Sequence, residues 1–96
     1  MSEEPIVVTV VDDVIFVAGE IDLCSAQRLD AALTVNSHLA LVDMAGVSFM
    51  DSTGLNVLLS QRRRRLSQGG TLLIIAMSRA VERILEMSGL TPTFRW

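Results

Sequence analysis

The 96-residue chain is half apolar and one-fifth charged, with a formal net charge of −3, a composition that fits one soluble domain, residues 1–96, around one core. No apolar run reaches the roughly 18–20 residues that cross a bilayer, and the acidic start, MSEEPIVVTV, is not that of a signal or transit peptide. A single cysteine, Cys24, excludes an internal disulfide and a multi-cysteine metal site, so the cytoplasm is the expected location.

All eight basic residues are arginines. Lysine chemistry, whether a Schiff base or a phosphate-loop lysine, is therefore ruled out. The negative balance also argues against general nucleic-acid binding.

In chain order, Pro5 to Val11 and Val14 to Ala18 are β-branched runs on either side of Asp12-Asp13. Two strands across a two-residue turn predict a β-hairpin. Gly19-Glu20-Ile21-Asp22 ends the second strand, and Asp22 is placed to cap a helix running to about Val35. Leu29, Ala32 and Leu33 fall on the inner face of that helix, and Asn36-Ser37-His38 breaks it. Leu39 to Met44 is a short apolar run, which suits a strand covered on both faces and hence a central, parallel one.

A short loop is then expected before an amphipathic helix whose buried stripe is Leu55, Leu58, Leu59 and Leu66. Gly69-Gly70 stops it, and Thr71 to Ala76 forms another buried strand. Ser78 caps a last helix with Val81, Ile84 and Leu85 inward, and Gly89 and Leu90 supply its C-terminal stop. The tail from Thr91 to Trp96, which contains Pro92, is expected to be a short edge strand or extended. The order is β-β-α-β-α-β-α: an α/β fold with a mixed sheet of four to five strands, right-handed crossovers and helices packed on it.

The chemistry concentrates at Asp51-Ser52-Thr53-Gly54, where the third strand hands over to the central helix. Free N–H groups and a positive dipole end favour polar and anionic groups there. Ordinary capping accounts for one such residue, but not for three together. Gly54 weakens the first turn by roughly 1 kcal/mol against alanine, so close approach of a partner's backbone is the expectation for it. Met44, Met50, Met77 and Met87 read as gap-fillers; of these Met50, just before the motif, is the one placed to sit exposed at an interface.

Other candidates carry less. Arg62 to Arg65 spread over most of a helix circumference at about 100° per residue, so they form no one-sided nucleic-acid stripe. They complement the dipole at a helix C-terminus, with the Arg62 stem lying over the core. His38 stands alone, with no partner at metal-ligand spacing. Cys24 is expected as a buried small apolar residue, and as a redox group only in a secondary reading. A serine or threonine nucleophile lacks a nearby base, and Gly-x-Ser-x-Gly is missing. The chain is therefore not expected to be an enzyme or to hold a cofactor or metal. Ser52 is read instead as a residue acted upon: a phosphate there would carry about −1.5 to −2 charge at a helix N-terminus.

Several stretches, in this order and within this length, carry a resemblance. They are Gly19-Glu20-Ile21-Asp22, Leu41-Val42-Asp43-Met44, Phe49-Met50-Asp51-Ser52-Thr53-Gly54-Leu55, Gly69-Gly70 and Met87-Ser88-Gly89-Leu90. The chain resembles the STAS domain of anti-sigma-factor antagonists. The resemblance implies a sheet with helices on one side and a serine, matched by Ser52, phosphorylated by an anti-sigma factor that is itself an ATP-binding serine kinase.

The unphosphorylated form is then expected to bind that kinase and free a sigma factor, and a phosphatase to reset the phosphorylated form. Asp22 matches the family carboxylate thought to lie close to the acceptor. Met50, Asp51, Thr53, Gly54 and Asn56 are expected to support partner binding around it. Thr53 is the alternative acceptor. The other STAS reading is an interaction module without phosphorylation, with Cys24 as its redox candidate. The resemblance implies no direct DNA or membrane contact, and a monomer is expected. Family members commonly run on into a further helix where this chain stops at Trp96, so one flank of the sheet is expected to be less covered.

Overall fold

The computed structural model describes residues 6–34 and 39–94. The hairpin forms as expected, with β1 (Val7–Val11) antiparallel to β2 (Val14–Ile21) and Val11 paired with Val14. Asp12 and Asp13 both take positive φ, 50° and 69°, as the two central residues of a type I′ turn must. Aspartate tolerates that region better than most non-glycine residues.

Strand β3 (Leu39–Met50) lies parallel to β2, and β4 (Thr71–Met77) lies parallel to β3, giving a four-stranded sheet in the order β1-β2-β3-β4. The helices are α1 (Ala26–Thr34), α2 (Ser52–Leu66), α3 (Arg79–Ser88) and the short α4 (Thr91–Phe94). Helices α1 and α2 pack against each other, which places both crossovers on one face of the sheet.

Alternation along the strands separates the two faces. Ile15, Val17 and Ile21 of β2, Ala40, Val42 and Met44 of β3, and Leu72 and Ile74 of β4 are buried. They share one core with Leu29 and Leu33 of α1, Leu58 of α2, Val81 and Leu85 of α3, and Phe94. Val7, Phe16 and Leu39, on the other face, are exposed.

Three expectations need correction. The first concerns β3, which is twelve residues long rather than six. The sequence reading placed a loop where the apolar alternation fails. In the structure the buried positions run 40, 42, 44, 47, 50, because β3 carries extra residues opposite Phe16–Ala18 and Gly19–Glu20 of β2. Bulges of this kind bend a strand without ending it. At the first, the Asp43 carboxylate accepts a hydrogen bond from the Ala45 N–H at 3.0 Å.

The second concerns the tail. It turns into α4, with Pro92 in the first turn where its missing N–H costs nothing, and Phe94 enters the core.

The third concerns the polar end of α2. Leu66 is 47% exposed, while Gln61 and Arg65 are buried, at 1% and 4%. Leu58, Gln61 and Arg65 thus make the inward stripe, and Arg62 beside it is half-buried with its Nε out of solvent, as expected of a stem lying over the core. Gln61 Nε2 donates to the Asp30 carbonyl, the Asp30 carboxylate and the Thr34 hydroxyl at 3.2, 2.8 and 2.9 Å. Arg65 Nη2 donates to the Leu33 carbonyl. These groups satisfy the last carbonyls of α1, which has no basic residue in its last turn. Burial, and secondarily the adjacent Arg64 cation, lowers the pKa of Arg65 from its ordinary value.

The remaining caps follow expectation. Ser78 accepts from the Val81 N–H at 3.3 Å, Gly89 takes φ 71°, and Leu90 N–H reaches the Leu85 carbonyl at 2.8 Å. The expected end of α1 at Val35 and its break at Asn36-Ser37-His38 lie outside the described residues.

Removing the Arg65 guanidinium strands the buried Leu33 carbonyl and opens space at the helix contact. Arg65→Ala should therefore lower unfolding stability by about 1–3 kcal/mol. Arg63→Ala and Arg64→Ala, at exposed positions, should each change it by less than about 0.5 kcal/mol. Urea melts of the three variants check this. Equal effects at all three positions would contradict the assignment of Arg65 as an interhelical clamp.

Candidate functional site

The parallel ladder of β2 and β3 closes on the pair Ile21 and Met50. One further bond, from the Asp51 N–H to the Ile21 carbonyl at 3.2 Å, carries the pairing a step beyond it. Asp22 and Asp51 therefore leave adjacent strand ends side by side, and Ser52 opens α2 directly after. In α/β sheets the carboxyl ends of parallel strands are where ligands and partners usually meet the fold. Here the backbone register alone brings together the two sequence motifs that contain Asp22 and Ser52.

Each carboxylate is held in place. Asp51 is the N-cap of α2, in extended conformation, and its Oδ1 accepts from the Thr53 N–H at 2.9 Å. The same oxygen also accepts from the Thr53 hydroxyl. Asp22 Oδ1 accepts from the backbone N–H groups of Cys24 and Ser25, at 3.0 and 3.1 Å. Ser25 returns the contact. Its hydroxyl accepts from the Asp22 N–H at 3.0 Å and donates to the Glu20 carbonyl at 2.8 Å. Asp22 thus organises a turn over residues 23–25, and α1 begins only at Ala26. Sequence reasoning passed over Ser25, although an aspartate three residues before a serine is a recognisable local hydrogen-bonding pattern.

The two hydroxyls at the joint differ. Thr53 is half-buried and its hydroxyl is committed to Asp51. Ser52 is exposed, at the positive end of a fifteen-residue helix with no acidic residue in its first turn. Asn56 is exposed one turn further along the same face. With Val57 and Ser60 of α2 and Ala26, Gln27, Asp30 and Ala31 of α1, it lines an open cleft of about 360 Å³.

Other expectations at this site change. Met50 is buried, not exposed at an interface. Cys24 is exposed, not a buried apolar filler, because the Asp22 turn holds it outside the helix. Gly54 has a reason inside the protein. A Cβ there would stand 2.7 Å from Ile21 Cγ2 and 2.7 Å from Met50 Cγ. The close approach is that of α2 to the strand ends, not that of a partner's backbone. His38 lies outside the described residues. Among the described residues no group of three potential metal ligands converges, and no helix is long and apolar enough to cross a membrane.

The sequence profile of the STAS domain matches residues 5–96. The chain belongs to the STAS family. It is 35% identical over 81 residues to an anti-sigma-B factor antagonist of Listeria monocytogenes, covering 80% of this chain and 71% of that one. The crystal structure of an anti-sigma factor antagonist from Mycobacterium paratuberculosis superposes with a TM-score of 0.75 at 27% identity, covering 93% of this chain and 80% of the other. SpoIIAA, an anti-sigma factor antagonist, shares the fold. Its unphosphorylated form has a TM-score of 0.75 at 20% identity, covering 95% of this chain and 85% of that one. Its phosphorylated form, from Bacillus, has a TM-score of 0.69 at 19% identity, covering 95% and 88%. The mixed sheet with helices on one side is the fold of these STAS neighbours.

The contact beneath Gly54 opposes two effects. Alanine there gains up to about 1 kcal/mol of helix propensity, and an overpacked methyl loses about 1–3 kcal/mol. Gly54→Ala should therefore lower the melting temperature although alanine is the better helix former. A thermal melt checks this, and a rise would mean that α2 can lift off the strand ends at little cost.

Proposed function

We propose that this STAS domain is an anti-sigma-factor antagonist in a partner-switching system. Unphosphorylated, it binds an anti-sigma factor that is also an ATP-dependent serine kinase, and so frees a sigma factor. Phosphorylated on Ser52 it lets go, and a phosphatase restores it. The observation that carries the reading is the division of labour at the joint: Thr53 spends its hydroxyl on Asp51, while Ser52 faces solvent at a helix N-terminus. The names of the relatives support the general role, and the phosphorylated form solved for SpoIIAA supports a modified state within this fold.

The energetics favour a switch in the partner rather than in the fold. A phosphate on Ser52 can accept hydrogen bonds from the free N–H groups of α2 and interact well with its dipole. A partner packed over the same helix end would have to desolvate that dianion beside Asp22 and Asp51. A penalty of about 3–4 kcal/mol weakens binding several-hundred-fold. Asp22, Asp51, Thr53, Gly54 and Met50 act here by holding the acceptor and the flanking backbone in register, and Asn56 by presenting a polar group on the acceptor's face.

Bait experiments from the native cytoplasm test this. Ser52→Ala should capture a kinase-type anti-sigma factor and Ser52→Asp should not. After incubation of the wild type with ATP and the captured partner, mass spectrometry should place phosphate on Ser52 and not on Thr53. Capture by Ser52→Asp equal to wild type, with no phosphate on either residue, would favour regulation by contact alone.

A further inference from the structure

A second concavity lies beside the end of β3, between that strand and α3. It measures about 350 Å³ and is lined by Ser48, Phe49, Met50, Arg79, Ala80 and Arg83. None of these residues lines the cleft between α1 and α2. Its composition is unusual for a chain of net charge −3: two cations, no acidic group, and an apolar lining from Met50, Ala80 and Phe49. Phe49 is 46% exposed, a large aromatic surface left in water at the rim.

Arg79 and Arg83 are exposed and stand one helical turn apart on the same face of α3. Glu82 and Glu86 follow them at three-residue spacing, where ion pairs commonly form on a helix. They do not pair with the arginines and do not line the groove. Among the described residues neither guanidinium is committed to a carboxylate.

We propose that this groove docks a short acidic segment of a partner protein, one carrying an apolar side chain between its carboxylates. The chemistry follows from the lining. Guanidinium groups bind carboxylates through paired, charge-assisted hydrogen bonds. An apolar side chain placed between them covers Ala80 and removes Phe49 from water. The volume is near the lower bound for a binding pocket, about 300 Å³, and suits one or two side chains. A nucleic acid would call for a longer basic track, and a free phosphate would gain nothing from the apolar floor. The proposal does not rest on phosphorylation at Ser52 and goes beyond the switch.

The test uses the whole chain and a fluorescein-labelled short peptide with glutamates flanking a central leucine. Its glutamine counterpart is the control. The glutamate peptide should bind, should shift the amide resonances of Phe49, Ala80 and Arg83, and should weaken with added salt. Arg79→Glu combined with Arg83→Glu should weaken binding by about tenfold or more. Glutamate at position 79 suits a helix N-terminus, so folding should survive the change.

Ala80→Glu, which blocks the floor with a like charge, should abolish binding. The milder Arg83→Gln should fall between. Gln27→Ala, in the separate cleft between α1 and α2, should leave peptide affinity within about twofold. Several results would overturn the proposal: no binding at millimolar peptide, equal binding of the glutamine peptide, or indifference to the double charge reversal in a folded variant. Displacement of the peptide through the same arginines by single-stranded DNA or anionic vesicles would also overturn it, and would make the surface a general polyanion site.

Discussion

The structure turns on the contact where α2 meets the ends of β2 and β3. Gly54 lets the first turn of α2 settle against Ile21 and Met50, with no room for a methyl group between them. The Asp51 N–H locks the same place to the Ile21 carbonyl. Because Ile21 and Met50 are also the last parallel pair, one packing event fixes strand register, helix entry and the relative positions of Asp22 and Ser52. A methyl at Gly54 or a slip in that register would move all three together. The cost of glycine in a first turn, about 1 kcal/mol, is what this close seating requires.

The opposite end of the helix layer is held differently. There the contact between α1 and α2 is polar, made by Gln61 and Arg65 reaching the terminal groups of α1. Buried polar groups are safe only when their partners are supplied: Arg65 supplies a donor to the Leu33 carbonyl, and Gln61 adds one to the Asp30 carbonyl beside that of the Thr34 hydroxyl. The helix pair is therefore seated by shape at the site and by hydrogen bonds away from it. A short, directional clamp of this kind fixes the rotation of α2 about its axis. That rotation decides whether Ser52 and Asn56 face outward.

Much of this was legible in the residues, and the failures have physical causes. The hairpin, the cap at Ser78, the stop at Gly89 and the parallel β3 and β4 were all read correctly from pattern and turn chemistry. The second half of β3 was hidden because two bulges change the buried spacing from two residues to three, and a period-2 search stops at that change. Arg65 and Gln61 were hidden because polarity outweighed position: their spacing from Leu58 fits the buried stripe, but a binary pattern counts them as surface. Gly54 was correctly singled out as a close approach, but the sequence cannot say what approaches. The register of β2 against β3, which pairs Ile21 with Met50, decides that.

Ser52 and Thr53 show what the fold adds to a motif. In the sequence they are adjacent hydroxyls of equal standing. In the structure the N-cap carboxylate binds the Thr53 amide, which draws the Thr53 hydroxyl onto the same oxygen and turns it inward. Capping chemistry, ordinary at any helix start, here separates two hydroxyls by committing one of them. The N-terminal dipole of α2 is left to act on whatever occupies the Ser52 oxygen. An isolated peptide with the same four residues would lack this distinction, because without β2 and β3 nothing holds Asp51 in the extended conformation that starts the cap.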